Sequence, residues 1–266
     1  MSVSNAPKDF ESIKQSSESL KTTIKVSYGA LILFSYIMFT FVSNIFQNIG
    51  NTNYAILLLL VISGMASADF FSGILHWTFD TWGSSEIPFW GEYVVKSFRE
   101  HHTKPHLILK RNWIESNGVP IIVVVLVHVV YSLLFEEWVL SILGSVHTSV
   151  FLFCFYLMMS MSNEIHKLCH YPKECGYFVE TLRLFKIIPS RMDHKKHHTY
   201  PFDDNYCLST GWMNPILRKL NFWRNLERII TRITGLQPRS EDHMIYEALV
   251  KSDAREPGQI RKRKKE

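Results

Sequence analysis

Eight histidines fall into four tight groups: His76, His101 with His102, His166 with His170, and His194 with His197 and His198. Asp80 follows His76 by four residues. On a helix, residues three and four apart share a face. His76 and Asp80 would therefore present their donors together, as would His166 with His170 and His194 with His197 and His198. His101 and His102 are adjacent and would diverge by about 100°, so one could face each of two metals. Imidazole suits Fe, Zn, Cu and Ni, and hard cations such as Mg or Ca are poor partners for it. A closed zinc site uses about four ligands, whereas eight imidazoles suit two metals with roughly four or five ligands each. The count favours a dinuclear iron site that activates O2.

The same spacing nominates residues behind the ligands. Asp69 lies seven before His76 on the same helical face, where a carboxylate commonly receives the second N–H of a metal-bound imidazole. Asn163 lies three before His166 and could position a ligand or a water. Glu100 and Glu164 read as solvated neighbours. His106, His128, His147 and His243 stay outside the set, with His128 and His147 expected as neutral, hydrogen-bonded packing residues. Trp77, Trp82, Trp90, Trp113 and Trp212 flank the groups and read as interfacial belt residues.

The elements that carry these groups are apolar. Of 266 residues, 47% are hydrophobic. No Lys or Arg occurs between residues 26 and 95 or between 112 and 166, gaps that a bilayer favours and a soluble surface does not. Four spans are expected, at 25–46, 54–75, 119–135 and 138–161, near the ~20 residues a crossing needs. The third is the shortest, and the last two are joined by Glu136 and Glu137 as a hairpin. All 29 Lys and Arg lie in the N-terminal segment up to Lys25 at the start of the first span, between the second and third, or after the fourth. Four crossings put those segments, and all eight grouped histidines, on one side, and the positive-inside rule makes that side cytosolic.

The expected architecture is an all-α integral membrane protein, four transmembrane helices under a cytosolic helical cap carrying a histidine-rich di-metal site. Residues 1–24 are expected to be a flexible cytosolic N-terminus, 25–240 the membrane domain, and 241–266 a basic cytosolic tail. The first 24 residues lack the apolar core of a cleavable signal peptide. Lys262 and Lys264 are spaced like a dilysine retrieval signal for the endoplasmic reticulum. Cys154, Cys169, Cys175 and Cys207 form no CxxC pair and read as packing residues. No phosphate loop, nucleophile elbow or nucleic-acid motif is present.

Several segments together resemble the Kua family of plasmalogen-forming membrane desaturases. They are Ala68 to Gly83 (ADFFSGILHWTFDTWG), Phe98 to His102 (FREHH), Trp113 to Gly118 (WIESNG), Asn163 to His170 (NEIHKLCH) and Ser209 to Asn214 (STGWMN). Two later stretches, Phe222 to Glu227 and Thr234 to Arg239, match in order, so the likeness covers roughly residues 66–240. The resemblance implies plasmanylethanolamine desaturation, conversion of a 1-O-alkyl ether phospholipid to its vinyl ether. It implies two Fe ions, O2 as co-substrate, and electrons from cytochrome b5 and its NAD(P)H-dependent reductase. It also implies that His76, Asp80, His101, His102, His166, His170, His194, His197 and His198 are the essential residues; the endoplasmic reticulum membrane is the location expected from the dilysine spacing. Lys104, Arg111-Asn112, Asp193 and Phe202 depart from the family pattern without touching the eight histidines. The rival expectations are a di-iron acyl-lipid desaturase or hydroxylase, a zinc membrane hydrolase, and a non-catalytic metal-binding scaffold.

Overall fold

A computed structural model describes residues 6–50, 52–84, 87, 95–171, 175–239 and 247. Trp90, His243, the dilysine and nearly all of the basic tail lie outside them. Every regular element among the described residues is helical. In chain order these are α1 (Ala6–Asn48), α2 (Tyr54–Thr81), α3 (Lys96–Thr103), a 3-10 turn (Pro105–Lys110), α4 (Trp113–Leu134), α5 (Glu136–Leu143) and α6 (Ser145–Ser160). They are followed by α7 (Ser162–Cys169), α8 (Tyr177–Leu184), α9 (Arg191–His197), α10 (Met213–Lys219) and α11 (Phe222–Thr234). The chain divides into two compact units, residues 1–68 with 111–164, and residues 69–110 with 165–266.

The first unit is built from apolar helices. Leu20–Asn48, Tyr54–Thr81 and Trp113–Leu134 are each long and apolar enough to cross a bilayer. Large apolar side chains such as Ile32, Phe39, Leu58 and Leu133 point outward on them, the pattern of a surface solvated by lipid rather than water. α4 starts earlier than its hydropathy suggests. The Asn112 side chain accepts from the N–H of Glu115, and the Glu115 carboxylate accepts from the N–H of Asn112, a capping box that extends the helix to 22 residues.

The fourth expected span, 138–161, is not one straight helix. α5 and α6 meet at a bend of 117°, so the described residues hold three candidate spans, or four if the bent pair counts as one. The break is at Gly144, with φ 75° and ψ 163°, backbone angles that essentially only glycine adopts.

Small residues let α1, α4 and α6 approach closely. A methyl on Gly118 of α4 would lie 2.6 Å from Cβ of Ser27 on α1. Asn44 of α1 donates to the Ser149 hydroxyl of α6 at 2.8 Å. Inside, fully buried Tyr156 packs against Phe41 and His128, and its hydroxyl lies 3.4 Å from Nδ1 of His128. His147 bonds to the carbonyl of Leu143.

The second unit gathers the polar chemistry around the C-terminal half of α2. An irregular strap, residues 199–212, leads from α9 to α10 and buries Phe202, Tyr206 and Cys207. Its polar backbone must be satisfied away from water, and α2 does much of this. The buried Asp69 carboxylate accepts the N–H groups of Thr210, Gly211 and Met213 at 2.8, 2.9 and 3.0 Å. Asn214 exchanges two hydrogen bonds with the backbone of Cys207. The strap lies so close to α2 that a Cβ on Gly73 would overlap the Sγ of Cys207.

α11 closes the same core. Its Trp223 stacks on Trp77 with centroids 5.6 Å apart, so Trp77 is a core residue, 3% exposed, and not a belt residue. The buried Glu227 takes both guanidinium nitrogens of Arg239, at 2.7 and 2.8 Å, and the indole N–H of Trp77. The N–H of Arg239 also donates to the carbonyl of Thr81, tying the chain after α11 to the end of α2.

Candidate metal centre

All nine nominated donors lie in the second unit and converge into two groups. His101, His166, His170, His194 and His198 form one, and His76, Asp80, His102 and His197 the other, with the donor atoms of each group within 4.8 Å of one another. Helical spacing explains the sorting. Adjacent His101 and His102 at the end of α3 diverge into different groups. On α9 and its cap, His194 and His198, four apart, join one group, whereas His197, expected on their face, turns to the other. The Ser190 hydroxyl, which accepts from the N–H of Asp193, starts that helix. The carboxylate of Asp193 is engaged by Ser190 and Lys196.

In the five-histidine group the Nε2 atoms point inward. His101 lies 2.9 Å from His166 and 2.8 Å from His170. His166 and His170 are 3.1 Å apart, His170 and His194 2.6 Å, and His194 and His198 3.0 Å. Mutual hydrogen bonds cannot account for this. An imidazole nitrogen offers one hydrogen or one lone pair, yet Nε2 of His170 has three nitrogen neighbours at bonding distance. Ligands about 2.0–2.1 Å from a common cation and near right angles would lie about 3 Å apart. The donor set therefore fits a metal ion.

The second group is deeper. His76, Asp80, His102 and His197 are each at most 5% exposed. Asp80 Oδ2 lies 3.0 Å from Nε2 of His76, 3.4 Å from that of His197 and 3.5 Å from that of His102. One carboxylate among three imidazoles gives this group a negative ligand that the first lacks.

Protonation follows from burial. Loss of water pushes His101 down to about 2, His102 to about 3 and His170 to about 4. His166, His194 and His198 are lowered by burial first and then by neighbouring imidazoles, chiefly His194 for His166, His198 for His194 and His197 for His198. These six rings are held toward the neutral form, the one that donates a lone pair.

Two candidate ligands are oriented by groups that no side-chain pattern reveals. Nδ1 of His76 lies 3.1 Å from the carbonyl of Tyr206, and Nδ1 of His197 lies 3.0 Å from the carbonyl of Asp204. Donation of Nδ1–H to a carbonyl leaves Nε2 as the lone-pair nitrogen. Phe202 stacks on His102 at 4.6 Å and an interplanar angle of 2°. Asp69, nominated as the partner of His76, instead holds the turn at 210–213. Asn163 belongs to the first unit and donates to the carbonyl of Ser116.

A sequence model of the lipid desaturase domain matches residues 65–241, a stretch that contains both ligand groups. A mouse protein, plasmanylethanolamine desaturase 1, is 35% identical over 188 residues, which are 70% of this chain and 69% of that protein. Plasmanylethanolamine desaturase from Myxococcus xanthus is 35% identical over 187 residues, 70% of this chain and 65% of that protein. Fatty acid desaturase 4-like 1, chloroplastic, from Arabidopsis thaliana is 28% identical over 221 residues, 81% and 69% of the two chains. No solved structure matches the chain.

Proposed function

Since this chain belongs to the lipid desaturase family, we propose that it is a plasmanylethanolamine desaturase. It takes the 1-O-alkyl chain of plasmanylethanolamine to the 1-O-alk-1-enyl chain of plasmenylethanolamine, in plasmalogen biosynthesis. The overall reaction removes two hydrogens from the alkyl chain, consumes O2, two electrons and two protons, and releases two waters. The observation that carries the reading is the convergence of nine donors into two adjoining groups, in a chain 35% identical to proteins of that name.

In this reading His101, His166, His170, His194 and His198 hold one iron, and His76, Asp80, His102 and His197 hold the other. Bound iron supplies the oxidising power that an unactivated CH2–CH2 pair demands, and the protein supplies placement and electrostatics. Burial holds His101, His102 and His170 toward the neutral form and keeps their lone pairs available. The strap carbonyls aim His76 and His197, and Asp69 anchors the strap that bears them. Asp80 contributes the charge that offsets part of a divalent cation's.

The orientation we propose places both termini and the histidine groups in the cytosol, in the endoplasmic reticulum membrane. It rests on the segregation of all 29 Lys and Arg. Electrons come from reduced cytochrome b5, whose acidic surface would be steered to a basic face with salt-sensitive rates.

The test is expression in cells that lack vinyl ethers, followed by analysis of acid-labile lipids. The expected result is a rise in the alkenyl-to-alkyl ratio of the ethanolamine phospholipids. An unchanged ratio despite well-expressed, iron-loaded protein would refute the assignment. The names of the Arabidopsis relatives keep an acyl-lipid desaturase as the second reading, and lipidomics on the same cells separates the two by the position of the new double bond.

A further inference from the structure

The segment Met213–Thr234, which contains α10 and α11, carries five basic residues, Arg218, Lys219, Arg224, Arg228 and Arg232, all exposed, and one acid. That acid, Glu227, is buried and held by Arg239. Arg224, Arg228 and Arg232 recur every four residues and form a row along α11. Arg224 pairs with Asp203 and Glu227. Among the described residues, neither Arg228 nor Arg232 pairs with a carboxylate. The row bounds a groove of about 490 Å3 whose other wall includes Gln237 and Pro238.

The opposite margin of α11 is apolar and uncovered. Trp223, Leu226 and Ile230 face the core, but Ile229 and Ile233, one turn apart, are 52% and 79% exposed, and Leu236 just beyond the helix is 58% exposed. A helix with a buried face, a bare apolar margin and an arginine row has the pattern of an element lying in a membrane interface.

Its location in the fold supports this. α11 packs on Phe70, Ile74 and Trp77 in the last turns of α2, itself a candidate span of 28 residues. At 1.5 Å per residue that helix is about 42 Å long, against a hydrocarbon core of about 30 Å. Crossing near the bilayer normal, it projects about eight residues beyond the hydrocarbon. The projecting end is the one with His76 and Asp80, because the other begins Ala55-Ile-Leu-Leu-Leu-Leu-Val61. α11 is therefore packed where hydrocarbon gives way to head groups.

We propose that α11 is an interfacial helix. It inserts Ile229, Ile233 and Leu236 into the leaflet beside the end of α2, and it seats the head-group phosphates of anionic bilayer phospholipids along Arg228 and Arg232. The surface thus fixes the depth at which the core of the second unit rides on the membrane, independently of which lipid is transformed.

The experiment uses the full chain in nanodiscs of phosphatidylcholine with and without phosphatidylserine, with a nitroxide on Ile233→Cys after Cys154 and Cys175 are replaced by serine. The expected result is a label that collides with O2 far more than with chromium oxalate in both discs. Labelled phosphatidylserine should be enriched near it, and R228Q/R232Q should reduce that enrichment on the order of 5-fold per arginine at low salt. Both arginines are exposed, so unchanged elution and metal content certify folding of that variant. A label equally open to chromium oxalate overturns the proposal. So does protection that arises only on adding a soluble acidic protein, which would make the row a protein-docking face. Full enrichment in R228Q/R232Q overturns the assignment of the phosphate seat.

Discussion

Replacing Gly73 with alanine probes whether the strap positions the deeper ligand group. The new methyl would overlap Sγ of Cys207 and sit 3.3 Å from its N and 3.4 Å from its Cα. Ordinary contacts are about 3.5–4.0 Å, so the strap has to retreat by a sizeable fraction of an ångström. The neighbouring carbonyl of Tyr206 is 3.1 Å from Nδ1 of His76, and the same retreat carries it beyond about 3.5 Å, where the hydrogen bond is lost. Overpacking costs about 1–3 kcal/mol and the lost bond about 1 kcal/mol, for a total of about 2–4 kcal/mol. At about 2–4 °C per kcal/mol for a chain of this size, the expected fall in Tm is roughly 5–15 °C. The metal held by the group containing His76 should fall with it. The assay is thermal unfolding in detergent, with iron counted per chain. Cys207→Ala removes the overlapping sulfur, so G73A/C207A should recover much of the loss relative to G73A alone. If G73A keeps full Tm and metal, or if the two substitutions merely add, the strap does not position His76 in the way described.

His170→Ala removes the nitrogen with three ligand neighbours. Expression should persist while lipid desaturation falls at least ~100-fold, as for loss of a group acting only with its partners, and full activity would remove His170 from the ligand set. Glu227→Leu alone should destabilise by about 3–5 kcal/mol, because it leaves the buried Arg239 guanidinium without its carboxylate, and Arg239→Leu alone by less, because Arg224 and the indole N–H of Trp77 still hold Glu227. The double leucine variant should be more stable than either single one, as read from denaturant midpoints, and additive losses would show that the pair is not coupled. Stripping metal with a chelator should lower Tm by several degrees, and ferrous iron should restore it, because a ligand that binds only the folded state stabilises it by mass action. A metal-free chain with unchanged Tm would contradict a centre that binds tightly.

The candidate ligands were readable from the sequence because helical geometry converts spacing into direction. His166 with His170, and His194 with His198, had to share faces once their segments were helical, and His101 and His102 had to part. The membrane helices were readable for a similar reason, since a bilayer excludes Lys and Arg over long stretches. The break at Gly144 was not, because a glycine in an apolar run does not reveal whether its freedom is used. The early start of α4 was missed because hydropathy ignores the cap at Asn112.

Four separated segments rich in imidazole determine by themselves that metal chemistry is available, since donor type and spacing are properties of the chain. Only the tertiary structure decides how the nine donors divide into five and four. It likewise decides that the carbonyls of Tyr206 and Asp204 aim two of them, and that Asp69 serves the strap instead of His76. Backbone carbonyls are the same at every position, and a buried aspartate takes whichever N–H groups the fold brings to it. Their roles exist only once distant segments have been packed against α2.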